Sequence, residues 1–213
     1  MQYDLIIFDF DGTLADSFSF FIRHVNLLAD QYHFRRIALS ELELIRDMHA
    51  GALIQHLQLP LWKVPLVARA FKRLMAQHIE QITPFEEIAQ ILLELHENGV
   101  RLALLTSNSR SNVAQVLGAP ILACFDHLQC NSALFGKRAK LRRILRDSGV
   151  APGKALFIGD EIRDLEAAGR EGVASGAVAW GYTSADALQH AKPHHFFKQV
   201  ADLRGLIGPA WIR

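Results

Sequence analysis

Two aspartates follow a short apolar segment near the start of the chain. Asp9 lies near the end of the run YDLIIFDF. Asp11 follows this run and precedes Gly12, a residue that lets the backbone turn sharply. Residues two apart on an extended chain point to the same side, so both carboxylates face one small volume. Open α/β sheets place their active sites at such strand ends. A surface turn with two solvated acids is the competing interpretation, and the fully apolar run before it makes that interpretation the weaker one.

Two more aspartates stand in a similar position later in the chain. Asp160 and Asp164, in the segment GDEIRD, follow the apolar run ALFI. The alternative interpretation is an acidic helix N-terminus, which the helix dipole favours. Beside the first pair of aspartates that alternative loses weight. Together the four carboxylates would crowd negative charge, so a divalent cation is expected to be needed for activity. Glu161, between them, is interpreted as a solvated neighbour.

Hydroxyl, amide and lysine groups follow other apolar runs. Thr106 ends the run VRLALL, and its hydroxyl with the backbone amides of Ser107 and Asn108 could hold phosphate oxygens. The alternative is a helix N-cap, which these residue types also favour. In the basic segment FGKRAKL, Lys137 could offset the carboxylates, and spacing does not exclude Lys140, one helical turn later.

The elements that must position these residues alternate along most of the chain. Short apolar runs predict strands, and helical patterns lie between them. This alternation predicts an α/β fold with a doubly wound parallel sheet and helices on both faces. The predicted strands are residues 3–10, 100–105, 125–130, 155–158 and 174–178.

The interval between the first strand and the rest does not alternate. Residues 17–82 indicate helices only, so we expect an inserted helical cap domain there and a core domain of residues 1–16 and 83–213. After it, Thr83 is the predicted N-cap of a helix with Pro84 at its first position and Glu86 completing a capping box. Gly99 is predicted to end that helix in a left-handed conformation.

Composition excludes several function classes. The 213 residues carry a formal net charge of +1, too little basic excess for nucleic acid or an acidic membrane surface. Half of the residues are hydrophobic, but no apolar run is long enough to span a bilayer, and the start lacks the pattern of a signal peptide. The cysteines, Cys124 and Cys130, form no CxxC pair and are expected to be reduced. These features favour a cytoplasmic protein.

Taken together, the segments resemble the haloacid dehalogenase superfamily, and within it the phosphatases with a helical C1 cap of the phosphoglycolate-phosphatase-like branch. DFDGTLADS, LLTSN, the dipeptide Gly136-Lys137 and GDEIRD occur in the expected order, and the tail AVAWGYTSADAL is also similar. The resemblance covers nearly the whole chain and implies a Rossmann-like core. It also favours Lys137 over Lys140, because the family lysine often follows glycine.

The resemblance implies a reaction. Asp9 would attack phosphorus and form an aspartyl-phosphate, with Asp11 as the general acid and base. Mg²⁺ would bind the carboxylates of Asp9 and Asp160 and the backbone carbonyl of Asp11, while Asp164 would orient a ligand or a metal-bound water. The phosphate-binding residues would be Thr106, Ser107, Asn108 and Lys137. A sugar-phosphate mutase and a catalytically silent binding module of the same fold stay open as alternatives.

The expected substrate is a small phosphate monoester, because a closed helical lid leaves little room for a macromolecule. The segment IRDMHAG resembles the position of the substrate loop in this branch. Arg46 there could pair with a second anionic group, and His49 is its neighbour. The alternative is that Arg46 is a solvated helix residue and His49 a helix C-terminal charge. The oligomeric state stays open.

Overall fold

A computed structural model of the chain describes residues 3–48, 50–131 and 136–207. Its centre is a six-stranded sheet in which every neighbouring pair of strands is parallel, in the order β3-β2-β1-β4-β5-β6. This confirms the predicted doubly wound parallel α/β fold. The strands are β1 (Leu5–Phe8), β2 (Leu102–Leu105), β3 (Phe125–Gln129), β4 (Ala155–Gly159), β5 (Ala174–Val178) and β6 (His195–Phe197).

Strand β1 occupies the middle of the sheet, where the direction of winding reverses. Ile7 lies opposite Ala103 of β2 on one side and Phe157 of β4 on the other. The chain builds outwards from β1 through β2 to β3, and then from β4 through β5 to β6. Such a reversal opens a crevice at the carboxyl ends of the central strands, which is where ligands bind in open α/β sheets.

Both faces of the central strands are buried, which explains why their sequences are uninterrupted apolar runs. Ile6 and Phe8 of β1 pack into the core on one face, and Leu5 and Ile7 pack into the core on the other. All four are at most 2% exposed. Parallel sheets covered by helices on both sides require this pattern, and each such side chain contributes about 1.5–3 kcal/mol by leaving water.

Nine α-helices lie in the described ranges. They are α1 (Ser17–Tyr32), α2 (Leu42–Arg46), α3 (Ala50–His56), α4 (Val64–Gln77), α5 (Ile88–Glu97), α6 (Arg110–Leu122), α7 (Lys137–Ser148), α8 (Ile162–Arg170) and α9 (Ala185–His190). Short 3-10 helices cover Leu39–Glu41, Leu61–Lys63, Ile79–Gln81, Pro152–Lys154 and Val200–Leu206. Among the described residues, none of these helices is both long and apolar enough to cross a membrane.

Helices α1 to α4 lie between β1 and β2 in the chain and are hereafter called the insert. Asp16 caps the start of α1, where its carboxylate accepts a hydrogen bond of 3.1 Å from the amide of Ser19. The insert has a small apolar cluster of its own, formed by Val25, Ile37, Ile45, Leu57 and Leu59. Over its described residues the insert contains helices and no strand, in line with the helical pattern of the sequence.

The predicted helix start at Thr83 is wrong. Residues 83–85 run alongside the segment that follows β1: the amide of Asp16 donates to the Thr83 carbonyl, and the amide of Phe85 donates to the Leu14 carbonyl, at 2.9 and 3.0 Å. This pairing holds the residues extended, so α5 begins only at Ile88. Gly99 follows α5 with φ 76°, in the predicted left-handed conformation.

Other secondary-structure elements have local features that the sequence patterns did not show. Strand β6 was not predicted, because three residues are too few to show a period. Residues 200–206 form a 3-10 helix. Helix α8 begins at Ile162, where Glu161 and Asp164 form a capping box.

Candidate active site

Three carboxylates meet in the crevice beyond β1 and β4. Asp9 directly follows β1, and its amide donates to the Ile158 carbonyl of β4 at 2.9 Å. Asp160 follows β4, and Asp164 lies in the first turn of α8. One oxygen from each of the three side chains lies within 4.8 Å of the others, and all three residues are buried. The fold therefore brings together aspartates that are about 150 residues apart in the chain.

A lysine joins this group from a third element. Lys137 is the first residue of α7 and is only 5% exposed. Its ammonium group donates to the carboxylate of Asp9 and, at 2.6 Å, to Asp164. Lys140 lies elsewhere, since its ammonium group donates to the backbone carbonyl of Cys130. Of the two candidate lysines, the structure brings Lys137 to the carboxylates.

This difference predicts unequal effects of two matched substitutions. If Lys137 neutralises the reacting phosphoryl group, Lys137→Ala should lower kcat/KM for a phosphate ester by roughly 10²–10³-fold, the usual cost of losing one charge-stabilising donor. Lys140→Ala should leave kcat/KM near that of the wild type. Because a buried lysine also supports the fold, Lys137→Arg and circular dichroism serve as controls. The reverse ranking of the two alanine variants would move the assignment to Lys140.

Asp160 is held by close backbone and hydroxyl contacts. Its two oxygens accept hydrogen bonds from the hydroxyl of Thr13 at 3.0 Å and from the amide of Tyr182 at 2.8 Å. Gly12 and Gly181 lie against the same side chain, and a Cβ at either position would collide with it. Gly12 also has φ 75°, a conformation that glycine adopts without strain. These glycines let the backbone approach the carboxylate closely.

The second aspartate of the first motif faces the end of β2. The side-chain amide of Asn108 donates to both oxygens of Asp11, at 3.1 and 3.3 Å. The fully buried hydroxyl of Thr106 accepts from the backbone amide of Asn108 at 2.9 Å. The alternative role of Thr106 as a helix N-cap is wrong, because Ser109 caps α6 by accepting from the amide of Asn112. Ser107, between them, is partly buried.

Burial dominates the electrostatics of the group. It raises the pKa of Asp9 to about 7, although Lys137 acts in the opposite direction. Burial also raises the pKa of Asp160 well above its ordinary value, and the charges of Glu161 and Asp9 add to this effect. For Lys137, burial acts to lower the pKa, but Asp164 and Asp9 outweigh it and the pKa is raised. One firmly charged lysine thus faces more negative charge than it can balance.

The donor set fits a hard divalent cation. Buried carboxylate oxygens from Asp9, Asp160 and Asp164 lie close enough to share one ion, and Mg²⁺ prefers oxygen ligands. The pKa of Asp160 is raised first by burial, and the neighbouring carboxylates of Glu161, Asp9 and Asp164 raise it further. One oxygen of Asp164 lies within 4.8 Å of oxygens of the other two residues, although the family resemblance implies an orienting role for Asp164. That assignment stays a prediction.

At this site the sequence analysis misinterpreted Glu161 and did not predict roles for Arg163 and Tyr182. Glu161 is not a solvated neighbour: its carboxylate pairs with Arg163 through contacts of 2.5 and 2.6 Å, and its side chain is 23% exposed. The charge of Arg163 acts on Asp11 and opposes the rise of that residue's pKa. The sequence signal for this ion pair was the spacing of Glu161 and Arg163, two residues apart in the segment GDEIRD. Tyr182 gave none, because its amide reaches Asp160 from 22 residues away.

The candidate substrate residues of the insert fall partly within the described ranges. His49 lies outside the described residues. Arg46, the last residue of α2, donates from Nη2 to the Gly181 carbonyl at 2.7 Å, and its guanidinium carbon lies 4.6 Å from the centre of the Phe18 ring. The alternative of a solvated helix residue is therefore wrong for Arg46. Whether Arg46 also contacts substrate stays a prediction.

Comparison with known proteins places this geometry in a family. Residues 6–178 match the family described as haloacid dehalogenase-like hydrolase. The chain belongs to the haloacid dehalogenase-like hydrolases. This confirms the resemblance drawn from the four motifs.

Two relatives of this hydrolase match along almost their full length. A phosphoglycolate phosphatase of Synechococcus elongatus is 28% identical over 199 residues, which cover 93% of this chain and 94% of the relative. A 5'-nucleotidase of Pseudomonas aeruginosa is 28% identical over 222 residues, covering 97% and 96%. These relatives confirm the expectation of an enzyme of the phosphatase class.

The fold of the hydrolase also matches solved structures. A haloacid dehalogenase-like hydrolase of Streptococcus pneumoniae superposes with a TM-score of 0.81 and covers 97% of this chain and 99% of its own. Its sequence identity is 18%, so the similarity concerns the fold alone.

Proposed function

We propose that this hydrolase is a magnesium-dependent phosphatase that cleaves a small phosphate monoester through an aspartyl-phosphate on Asp9. The observation that carries the proposal is the position of Asp9 at the end of β1. There its buried carboxylate lies beside the ammonium group of Lys137 and within reach of the Asp160 and Asp164 oxygens. A phosphate monoester is anionic and repels nucleophiles, so attack requires neighbouring positive charge of this kind.

The proposed reaction has two steps. In the first, a carboxylate oxygen of Asp9 forms a bond to phosphorus, the ester P–O bond breaks, and the leaving oxygen takes a proton from Asp11. In the second, water attacks the phosphorus, its proton passes to Asp11, and the carboxylate of Asp9 is released with inorganic phosphate. The half-buried carboxyl of Asp11 suits this role because loss of solvation raises its pKa, which favours the protonated form.

Other residues would bind and orient the substrate. The backbone amides of Ser107 and Asn108, the hydroxyl of Thr106 and the ammonium group of Lys137 would hold the phosphate oxygens. The carboxylates of Asp9 and Asp160 and the backbone carbonyl of Asp11 would hold the metal ion, with Asp164 orienting this group. A bound magnesium ion supplies the positive charge that one lysine cannot supply against the carboxylates and the phosphate.

The acid role of Asp11 predicts a dependence on the leaving group. Asp11→Asn cannot donate a proton, so its kcat/KM for an alkyl phosphate, which reports the first step, should fall by roughly 10²–10⁴-fold. An ester with a good leaving group, such as p-nitrophenyl phosphate, needs little protonation, so its kcat/KM should fall much less. The kcat should fall for both esters, because the second step also uses Asp11. Steady-state kinetics on both esters with the wild type and the variant measure these constants, and equal losses of kcat/KM on the two esters would contradict a role in protonating the leaving group.

We further propose that residues 17–82 act as a cap over a core of residues 1–16 and 83–213. Helix α4 reaches the crevice, where the sulfur of Met75 accepts from the side-chain amide of Asn108 at 3.2 Å, and the ammonium group of Lys72 donates to the Ser107 carbonyl at the same distance. A lid in this place would exclude water from the first step. It would also limit the substrate to small molecules. The predicted cytoplasmic location stays a prediction.

A substrate panel tests the proposed function. Released phosphate should be measured for phosphorylated hydroxy acids, sugar phosphates, nucleoside monophosphates and phosphopeptides. We expect turnover of one or more small esters and little turnover of phosphopeptides. Isomerisation of a sugar phosphate without net phosphate release would instead show the mutase. Neither release nor isomerisation on any ester in the presence of Mg²⁺ would support the silent binding module.

A further inference from the structure

The loop that follows β5, residues 180–184, contacts both the core and the insert. On the core side, the indole nitrogen of Trp180 donates to the Thr13 carbonyl at 3.1 Å, and the amide of Tyr182 donates to Asp160 at 2.8 Å. The loop therefore touches the turn after β1 as well as the aspartate after β4.

On the other side, the same loop is bound to α1 and α2. Arg46 donates from Nη2 to the Gly181 carbonyl, and the amide of Ser184 donates to the Arg46 carbonyl at 3.1 Å. The Tyr182 ring packs edge-on against Phe18 with 5.1 Å between ring centres, and its hydroxyl donates to Ser17 at 3.1 Å. Arg46 is thus fixed at both its backbone and its side chain.

The contacts of Arg46 and of Asp160 share one peptide group. The Gly181 carbonyl, which accepts from Arg46, and the Tyr182 N–H, which donates to Asp160, are the two ends of the same planar amide. Fixing the carbonyl therefore fixes the direction of the N–H. A positive charge on one end and a carboxylate on the other also polarise the amide in the same sense, which strengthens both hydrogen bonds.

The close packing around Asp160 restricts which residue can stand at position 181. A Cβ on Gly181 would collide with Asp160, so glycine lets the amide approach. Arg46 lies over the Phe18 ring, and its Nε is buried without a hydrogen-bond partner among the described residues. Burying Nε without a hydrogen-bond partner costs free energy of solvation. The hydrogen bond from Nη2 to the Gly181 carbonyl therefore sets the position of the guanidinium.

We infer that Arg46 is a positioning residue for Asp160: it orients the Gly181–Tyr182 peptide, and this peptide sets the carboxylate of Asp160 for divalent metal binding. The inference rests on the proposed magnesium site. Its consequence is that docking of the insert and metal binding at the core are coupled, and such coupling acts equally in both directions. This role differs from contact with a carboxylate of the substrate.

Direct Mg²⁺ binding tests the inference without any turnover. Isothermal titration calorimetry on the full chain should show that Arg46→Ala weakens Mg²⁺ binding by about tenfold or more, the usual effect of losing a group that orients a metal ligand. Arg46→Lys keeps the charge but lacks the planar group that stacks on Phe18. Its affinity for Mg²⁺ should therefore lie between those of the wild type and Arg46→Ala. This second variant also serves if Arg46→Ala does not fold.

A matched control separates this contact from docking in general. Lys72→Ala removes another hydrogen bond from the insert to the core, to the Ser107 carbonyl, but does not touch the peptide that holds Asp160. It should bind Mg²⁺ as the wild type does. Equal weakening by Lys72→Ala, or wild-type binding by both Arg46 variants, would overturn the inference.

Two further outcomes distinguish the inference from the proposed function. If the wild type itself binds no Mg²⁺, the proposed metal site fails and the inference fails with it. If Arg46→Ala binds Mg²⁺ normally but raises KM only for esters with a carboxylate, Arg46 contacts substrate, and the inference alone fails.

Discussion

Asp9→Asn is expected to give a folded protein that releases almost no phosphate, with a loss of turnover on the order of 10⁴-fold or more. An amide oxygen is a poor nucleophile, so the first bond to phosphorus cannot form. Asparagine has the same shape as aspartate, so the variant should fold. Its neutral amide is tolerated at this buried position, which already disfavours a negative charge and raises the pKa of Asp9 to about 7. Phosphate release and thermal unfolding measure the two parts of this expectation.

Asp4→Asn is the matched control for this variant. Asp4 precedes β1 at its other end, is exposed, and is held through its backbone amide to the Lys154 carbonyl at 2.7 Å. The same chemical change there should leave turnover at the wild-type level. Ordinary rates in Asp9→Asn would remove the covalent mechanism, and a similar loss in Asp4→Asn would show that the assay reports general damage.

Removal of divalent metal should have the second large effect. In excess EDTA, turnover is expected to fall to background. Lys137 donates to Asp9 and Asp164, while Asp160 adds a third buried carboxylate to the group, and together they would repel an anionic substrate. Added Mg²⁺ should restore full activity. The measurement is phosphate release across a titration of free Mg²⁺, with the EDTA-treated protein checked for folding by circular dichroism.

Calcium provides the comparison for the metal. Ca²⁺ accepts more ligands at longer distances, so it should bind the carboxylates but support little turnover. Full activity in excess EDTA would contradict the proposed role of the metal ion. Equal activity with Ca²⁺ would show that the site requires positive charge without the tighter geometry of Mg²⁺.

The sequence predicted the sheet and the location of the site because both follow from local patterns. Buried parallel strands are continuous apolar runs, and polar residues after such runs collect at one edge of the sheet. For that reason the sequence alone predicts that Asp9 and Asp160 lie near each other. The family match then confirmed the fold that the motif order had indicated. Catalytic roles for these residues stay predictions.

What failed depended on contacts between distant parts of the chain. Thr83 has the local signals of a helix start, yet hydrogen bonding with the segment around Asp16 holds it extended. No local pattern could show that the amide of Tyr182 meets Asp160 or that Arg46 meets Gly181, since both contacts exist only after folding. Spacing also allowed both Lys137 and Lys140. The family resemblance favoured Lys137, and the folded structure brings Lys137 to the carboxylates.

Chemical trapping of the intermediate tests the central claim most directly. The protein is mixed with Mg²⁺ and a good substrate, quenched in acid within the first turnover, digested and analysed by mass spectrometry. The proposed mechanism predicts one added phosphoryl group on the peptide that contains Asp9, at a higher level in Asp11→Asn, which lacks the base for the second step. Rapid phosphate release by the wild type with no phosphoryl group on Asp9 at any quench time would contradict the claim.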